Sequence, residues 1–243
     1  MDNPLGTSLL KSPRTILALL AAAAIVVAAL LVVLSQLGSG GAGPSSGGGA
    51  GPSAGKDVGK LYSGIPQDGT TLGKSAAPVT VYLYEDFQCP FCGQFSRETF
   101  PQLVDRYVRE GKVKMVSEPL AFLGPDSVEA ARAALAAGEQ NRYWPYYSLL
   151  FENQGEENSG YVTANFLQDL AHKTPGLDVS KWNTERTENS FSSELQAAQS
   201  NARSGGVDST PTLIVSGPGG KKKLVGVHNY GQISQAIDQV DGS

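Results

Sequence analysis

Between Ile16 and Gly55 the chain carries no charged residue, and this stretch of forty limits how much of the sequence can build a core. Its first part, ILALLAAAAIVVAALLVVL (Ile16–Leu34), would span roughly 28 Å as a helix, about one bilayer core. The rival reading is a cleaved signal peptide, whose apolar region runs only ~7–15 residues before a small-residue cleavage site. This run is longer, and the SQLGSGG that follows is a poor cleavage site. No cysteine follows it closely, which excludes a lipoprotein anchor. Lys11 and Arg14 precede the run and the next charge is Lys56, so the positive-inside rule keeps the N-terminus in the cytoplasm and sends the remainder across. The sequence therefore predicts a cytoplasmic segment over 1–15, an uncleaved single-pass anchor in the cell membrane over 16–37, and an extracytoplasmic remainder. Gly38 to Gly55 holds only Gly, Ala, Ser and Pro, and residues 38–59 read as a flexible linker. The folded part is then 60–241, one domain with or without an insertion.

That domain would face an oxidising compartment without a stapling disulfide, because the chain has only two cysteines and they are Cys89 and Cys92, in CPFC. A static bridge between them would close almost no loop and constrain the unfolded chain very little. A zinc site would need His172 and His228 as partners, but zinc histidines usually stand about three to five residues apart and these have 55 residues between them. No metal and no cofactor beyond a redox-active Cys89–Cys92 disulfide is expected. The net charge of −4 carries no basic patch that would suggest nucleic acid, and Lys221–Lys223 reads as a solvated strand or turn face.

The pattern of elements is strand, helix, strand, helical block, hairpin, helix. PVTVYLYEDF (Pro78–Phe87) is a buried strand by its β-branched and aromatic content. A helix follows to Gly111, with Pro90 suited to its first turn and Pro101 placed to kink it. Lys112–Leu120 is a second strand. Helical patterns then occupy about 122–205, with aromatics from Tyr143 to Trp182 as their core. TPTLIV and KKLVGV flank a turn, and YGQISQAIDQV closes as a helix. This is an α/β core interrupted by an all-helical block.

Thiol–disulfide exchange fits the cysteine pair best. A thiol attacks only as thiolate, and a helix N-terminus stabilises that charge through unpaired N–H groups. Cys89 sits where strand gives way to helix. Cys92 lies one turn further in on the same face, placed to resolve a mixed disulfide. Glu85 and Asp86 read as solvated or capping carboxylates rather than as proton shuttles for Cys92.

APVTVYLYEDFQCPFCGQF, EPLAFLGPDSVEAARAA and GVDSTPTLIVSGPGG together resemble three signature regions of the DsbA-type thiol–disulfide oxidoreductases, in order, over roughly Ile65 to Val240. The resemblance implies a thioredoxin fold with an inserted all-helical subdomain. It also implies a bacterial extracytoplasmic enzyme, a cis peptide at Pro211, and substrate contacts from Pro90, Phe91, Thr210 and Pro211. Its implied partners are unfolded or newly translocated proteins and a membrane reoxidant of the DsbB or vitamin K epoxide reductase-like kind. Two departures stand out. Phe91 occupies the place where the best-known members have His, and Leu83 stands where many thioredoxin-fold enzymes bury an acid. The leading expectation is a disulfide-introducing oxidase, weaker than the His-containing members. The alternatives are a reductase or isomerase fed through the membrane, and a non-catalytic chaperone module that retains the fold. Isomerases of this type carry a dimerisation domain; none is visible, which favours a monomer.

Overall fold

In the computed structural model, which describes residues 54–188 and 191–242, the first element is helix α1 (Ala54–Tyr62). The cytoplasmic segment 1–15 and the anchor 16–37 lie outside the described residues. Among the described residues, no helix is long and apolar enough to cross a membrane. Helix α1 corrects one end of the linker reading, because residues 54–59 of that stretch are helical. Val58 and Tyr62 stand four apart on one helical face and both enter the core. Arg109 then fastens the end of the helix, donating to the carbonyls of Leu61 at 2.7 Å and Ser63 at 2.8 Å. Composition disfavoured a helix here, and tertiary burial overrides it.

Two very short strands follow, β1 (Gln67–Asp68) and β2 (Thr71–Leu72), and both escape sequence reading because two residues show no periodicity. Strand β3 (Val79–Glu85) runs into helix α2 (Pro90–Glu98). Pro101 has no N–H for the carbonyl one turn back, so the helix breaks at Thr99 and resumes as α3 (Phe100–Leu103). It widens into a π turn over Val104–Val108 and ends at Gly111, whose φ of 79° a glycine takes without strain. Strand β4 (Val113–Pro119) completes a strand–helix–strand unit.

Helices α4 (Pro125–Gly138), α5 (Tyr143–Glu152), α6 (Ala164–Lys173), α7 (Val179–Glu188) and α8 (Ser192–Ser204) form the insertion, close to the span expected. The hairpin β5 (Thr212–Gly217) and β6 (Gly220–Val225) and the final helix α9 (Tyr230–Asp241) return to the α/β core.

The sheet order is β1-β2-β4-β3-β5-β6. Strand β3 is central: it pairs parallel with β4, Leu83 opposite Ser117, and antiparallel with β5, Leu83 opposite Leu213. Val79, Val81 and Leu83, two apart and on one face, are fully buried. The insertion does not keep a core of its own. Trp144 of α5 stacks on Phe100 of α3, with centroids 5.4 Å apart and planes 8° from parallel. Tyr147 meets both Phe100 and Phe87. The aromatics read as subdomain filling therefore join α5 to α3 and to Phe87 on the loop before the cysteines, while Trp182 is held within the insertion by an Nε1 bond to the Ala133 carbonyl at 2.8 Å.

Candidate active site

Strand β3 ends at Glu85, and the three residues between it and Cys89 are tied to the insertion on every side. Asp86 is fully buried. Its carboxylate accepts from the backbone N–H of Gln88 at 2.9 Å, Phe122 at 3.0 Å and Leu123 at 3.1 Å, and from the Ser127 hydroxyl at 2.6 Å. It caps the loop, as the sequence allowed. Gln88 donates to Ser127 at 2.9 Å and accepts from the Asn158 backbone at 2.7 Å. From just beyond α5, the Gln154 amide donates to the carbonyls of Phe87 at 2.9 Å and Cys89 at 3.0 Å. Gly93 makes room for this clamp, since a Cβ there would lie 2.2 Å from Gln154 Oε1. A loop held by so many partners arrives at the helix in one geometry.

Cys89 is the N-cap of α2, extended at φ −67° and ψ 118°, and Pro90 is the first helical residue. The N–H groups of Phe91 and Cys92 are thus free to face the Cys89 sulfur. Both thiols are free, and Cys89 keeps 6% of its surface while Cys92 has none. Hydrogen bonding from the Cys92 thiol, aided by the Thr210 side chain and these amides, outweighs burial and lowers the Cys89 thiol to about 6. Cys92 goes the other way. Burial pushes its thiol well up, and its donation to Cys89 and the charge of Glu85 add to that.

The Thr210–Pro211 peptide is cis, the geometry the resemblance implied. It brings the Thr210 carbonyl to 3.6 Å from Cys89 Sγ. Pro211 is buried, whereas Pro90 is exposed and Phe91 shows 61% of its surface beside the sulfurs. Phe122, on the loop that caps Asp86, is exposed as well. The six residues expected at the site, Cys89, Pro90, Phe91, Cys92, Thr210 and Pro211, gather at one end of the sheet.

Glu85 corrects the sequence reading. It is not solvated: it is 3% exposed, and it lies two residues beyond Leu83 on the same face of β3. Tyr147 donates its hydroxyl to Oε2 at 2.8 Å, while Oε1 has no hydrogen-bond partner among the described residues. Burial raises the carboxyl to about 8, against the Tyr147 hydrogen bond, and the neighbouring Cys89 charge adds to the rise. The alternation Val79, Val81, Leu83 was the signal that places Glu85 on the buried face. Such a constellation can hold one thiolate, one thiol and a protonated acid together near neutral pH.

Residues 66–239 match the family model described as thioredoxin. The chain is 27% identical over 170 residues to disulfide bond formation protein D of Bacillus subtilis, covering 69% of this chain and 75% of that protein. The crystal structure of oxidised BdbD from Bacillus subtilis superposes with a TM-score of 0.64 at 26% identity, over 73% of this chain and 98% of that one. DsbA of Chlamydia trachomatis superposes at 0.60 over 70% and 90% of the two chains, and at 23% identity it shares the fold alone. The chain belongs to the thioredoxin family, in its DsbA-like branch of thioredoxin-fold disulfide oxidoreductases.

Proposed function

We propose that this protein-disulfide oxidoreductase introduces disulfides into unfolded or newly translocated proteins on the outer side of a membrane. The observation that carries the reading is the opposed pair of thiols, Cys89 lowered to about 6 and Cys92 pushed well up. A thiolate stabilised below ambient pH favours the reduced enzyme, and each further unit is worth about 1.4 kcal/mol, or roughly 30 mV of oxidising power.

The chemistry follows from the same split. A substrate thiolate attacks Cys89 Sγ of the enzyme disulfide, the Cys89–Cys92 bond breaks, and Cys92 departs with the electron pair. Cys92 then takes a proton, because its thiol form is favoured by burial. Glu85, protonated at neutral pH and buried beside the pair, supplies it. The second substrate thiolate attacks the substrate sulfur of the mixed disulfide and releases Cys89, whose low pKa makes it a good leaving group. The substrate loses two electrons and the enzyme gains them. Exposed Pro90 and Phe91 and the Thr210 carbonyl offer the substrate chain an apolar rest and a backbone partner.

Ile16–Leu34 with Lys11 and Arg14 before it supports a membrane anchor with its N-terminus in the cytoplasm, and with it a membrane reoxidant of the DsbB or vitamin K epoxide reductase-like kind. The test is the equilibrium potential of the Cys89–Cys92 pair against glutathione. A value near about −120 mV supports the oxidase; one near about −270 mV would make the protein a reductase.

A further inference from the structure

The peptide unit between Cys89 and Pro90 has no N–H, because its nitrogen belongs to the proline ring. It stands between the reacting sulfur and the first donors of α2, and hydrogen bonds can hold it only by its oxygen. Two groups do so. The Gly93 N–H donates to the Cys89 carbonyl at 3.1 Å, and the Gln154 side-chain amide donates to the same oxygen at 3.0 Å. The first bond belongs to α2 and turns with it. The second ties the peptide to another part of the molecule, 65 positions away.

Gln154 also donates to the Phe87 carbonyl at 2.9 Å. Both partners are carbonyl oxygens, so the NH₂ end of the amide must face them. One side chain thus pins two points of the backbone, on either side of Gln88. Its own base is fixed as well. Arg97 of α2 donates from Nη1 to the Phe151 carbonyl at 2.6 Å and locks the end of α5 to the helix that Cys89 caps. Gln154 lies just beyond that end, and Gly93 on α2 leaves the space it needs, since a Cβ there would collide with its Oε1.

The direction of the Cys89 carbonyl decides what the sulfur faces. Cys89 is the N-cap, and the N–H groups of Phe91 and Cys92 turn toward its Sγ. Rotating the Cys89–Pro90 unit swings Sγ away from those donors, and a thiolate then loses what unpaired helix N–H groups give it. A disulfide carries no charge to lose. The oxidised form is therefore indifferent to the rotation, and the reduced form is not.

We infer that Gln154 is a positioning residue that sets the redox poise of the Cys89–Cys92 pair, by holding the Cys89 carbonyl so that Sγ faces the first amides of α2. It touches no reacting atom and acts through the backbone alone. By this bond the helical insertion governs how strongly the α/β core oxidises. The inference rests on the reading of Cys89 as the reacting thiol. It holds for either direction of exchange, because the poise is compared with that of the unaltered protein.

The test uses the full-length protein. Alkylation of the reduced form against pH gives the Cys89 midpoint, and titration with glutathione gives the equilibrium constant for reducing the disulfide. Gln154→Met keeps the length of the side chain without its donors, and Gln154→Ala removes the side chain altogether. In each, the constant should fall by roughly two- to tenfold, the worth of about one net hydrogen bond, and Cys89 should titrate higher by the logarithm of that factor. Tyr62→Phe controls for a merely structural effect, because it removes the 2.7 Å bond to Ser148 of the same helix α5. It should lower the urea midpoint and leave the titration of Cys89 in place. Wild-type values in both Gln154 variants overturn the inference. A shift in Tyr62→Phe equal to theirs also overturns it, since loosening α5 would then suffice. Alkylation of Cys92 before Cys89 in the unaltered protein would instead overturn the reading of the pair on which it rests.

Discussion

Cys89 Sγ lies 3.6 Å from the carbonyl oxygen of Thr210, a residue 121 positions further along the chain. The whole helical insertion is looped out between these two neighbours. The same insertion then returns through Gln154, Asn158 and Tyr147 to grip the loop and the acid behind the cysteines. The site therefore depends on packing between the two parts, and the predictions probe that dependence.

The thiols should behave as unlike partners. Brief alkylation of the reduced enzyme at pH 7 should label Cys89 and spare Cys92, since the first is largely thiolate and the second is a buried thiol. Cys92→Ala should accumulate a covalent mixed disulfide with substrate, and Cys89→Ala should not. Mapping the label by mass spectrometry and non-reducing gels of the two variants check both statements; labelling of Cys92 first would reverse the assignment.

Thr210→Val removes a side-chain hydroxyl that helps hold the Cys89 thiolate, and its isosteric shape keeps the loop packing. Cys89 should then titrate higher, by up to about one unit, and the enzyme should become a weaker oxidant by no more than roughly 30 mV. An alkylation profile read against pH gives the first value and a glutathione titration the second. A midpoint that stays in place would remove Thr210 from the account of the thiolate.

Glu85 should cost stability where it helps chemistry. Its carboxyl ionises near 4.5 when exposed and about 8 in the fold, so the folded state holds a proton that the unfolded chain releases. The group destabilises the fold from about pH 4.5 upward, and the cost levels off above pH 8. Glu85→Gln, still able to accept from Tyr147, should therefore raise stability at pH 8 by on the order of 2 kcal/mol while slowing exchange. The gain should vanish near pH 4. Urea denaturation at the two pH values measures it, and equal gains at both would rule out titration as the cause.

Gly93→Ala should pull the clamp off the active-site loop. Its Cβ would fall 2.2 Å from Gln154 Oε1 and 2.7 Å from Arg97 Nη1. Overpacking of this kind costs ~1–3 kcal/mol. With Gln154→Ala added, part of the clash disappears, so the double variant should lose less than the sum of the two single losses. Strict additivity in denaturant unfolding would show that Gln154 does not hold the loop against the helix.

Topology offers a separate check on the anchor. Protease added to intact spheroplasts should cut within residues 38–53 and release a soluble fragment that begins just before α1. A fragment that stays protected until the membrane is opened would reverse the orientation.

What the sequence determined by itself was the order of elements and the place of the cysteines. Strand β3, the start of α2 at Pro90, the break near Pro101, the helices of the insertion and the β5–β6 turn all follow from effects that act within a few residues. Side-chain periodicity, helix starts, proline and glycine are of that kind. The juxtaposition of CPFC with Thr210–Pro211 was legible through the resemblance, because both stretches keep their order and surroundings. Burial is different, since it depends on what a distant segment lays against a residue. Glu85 looks like a surface acid until Tyr147, 62 positions later, packs over it and the carboxyl is left with one hydrogen bond. Val58 looks like a stray residue at the end of a glycine-rich tether, and Tyr62 like a loose start to the domain, until α5 offers both a core and Ser148 offers Tyr62 a hydroxyl. Strands β1 and β2 exist only because β4 presents an edge to them. In each case tertiary packing removes water from a group whose local sequence says nothing of its neighbours, and that loss of water turns Glu85 into an acid able to work near neutral pH.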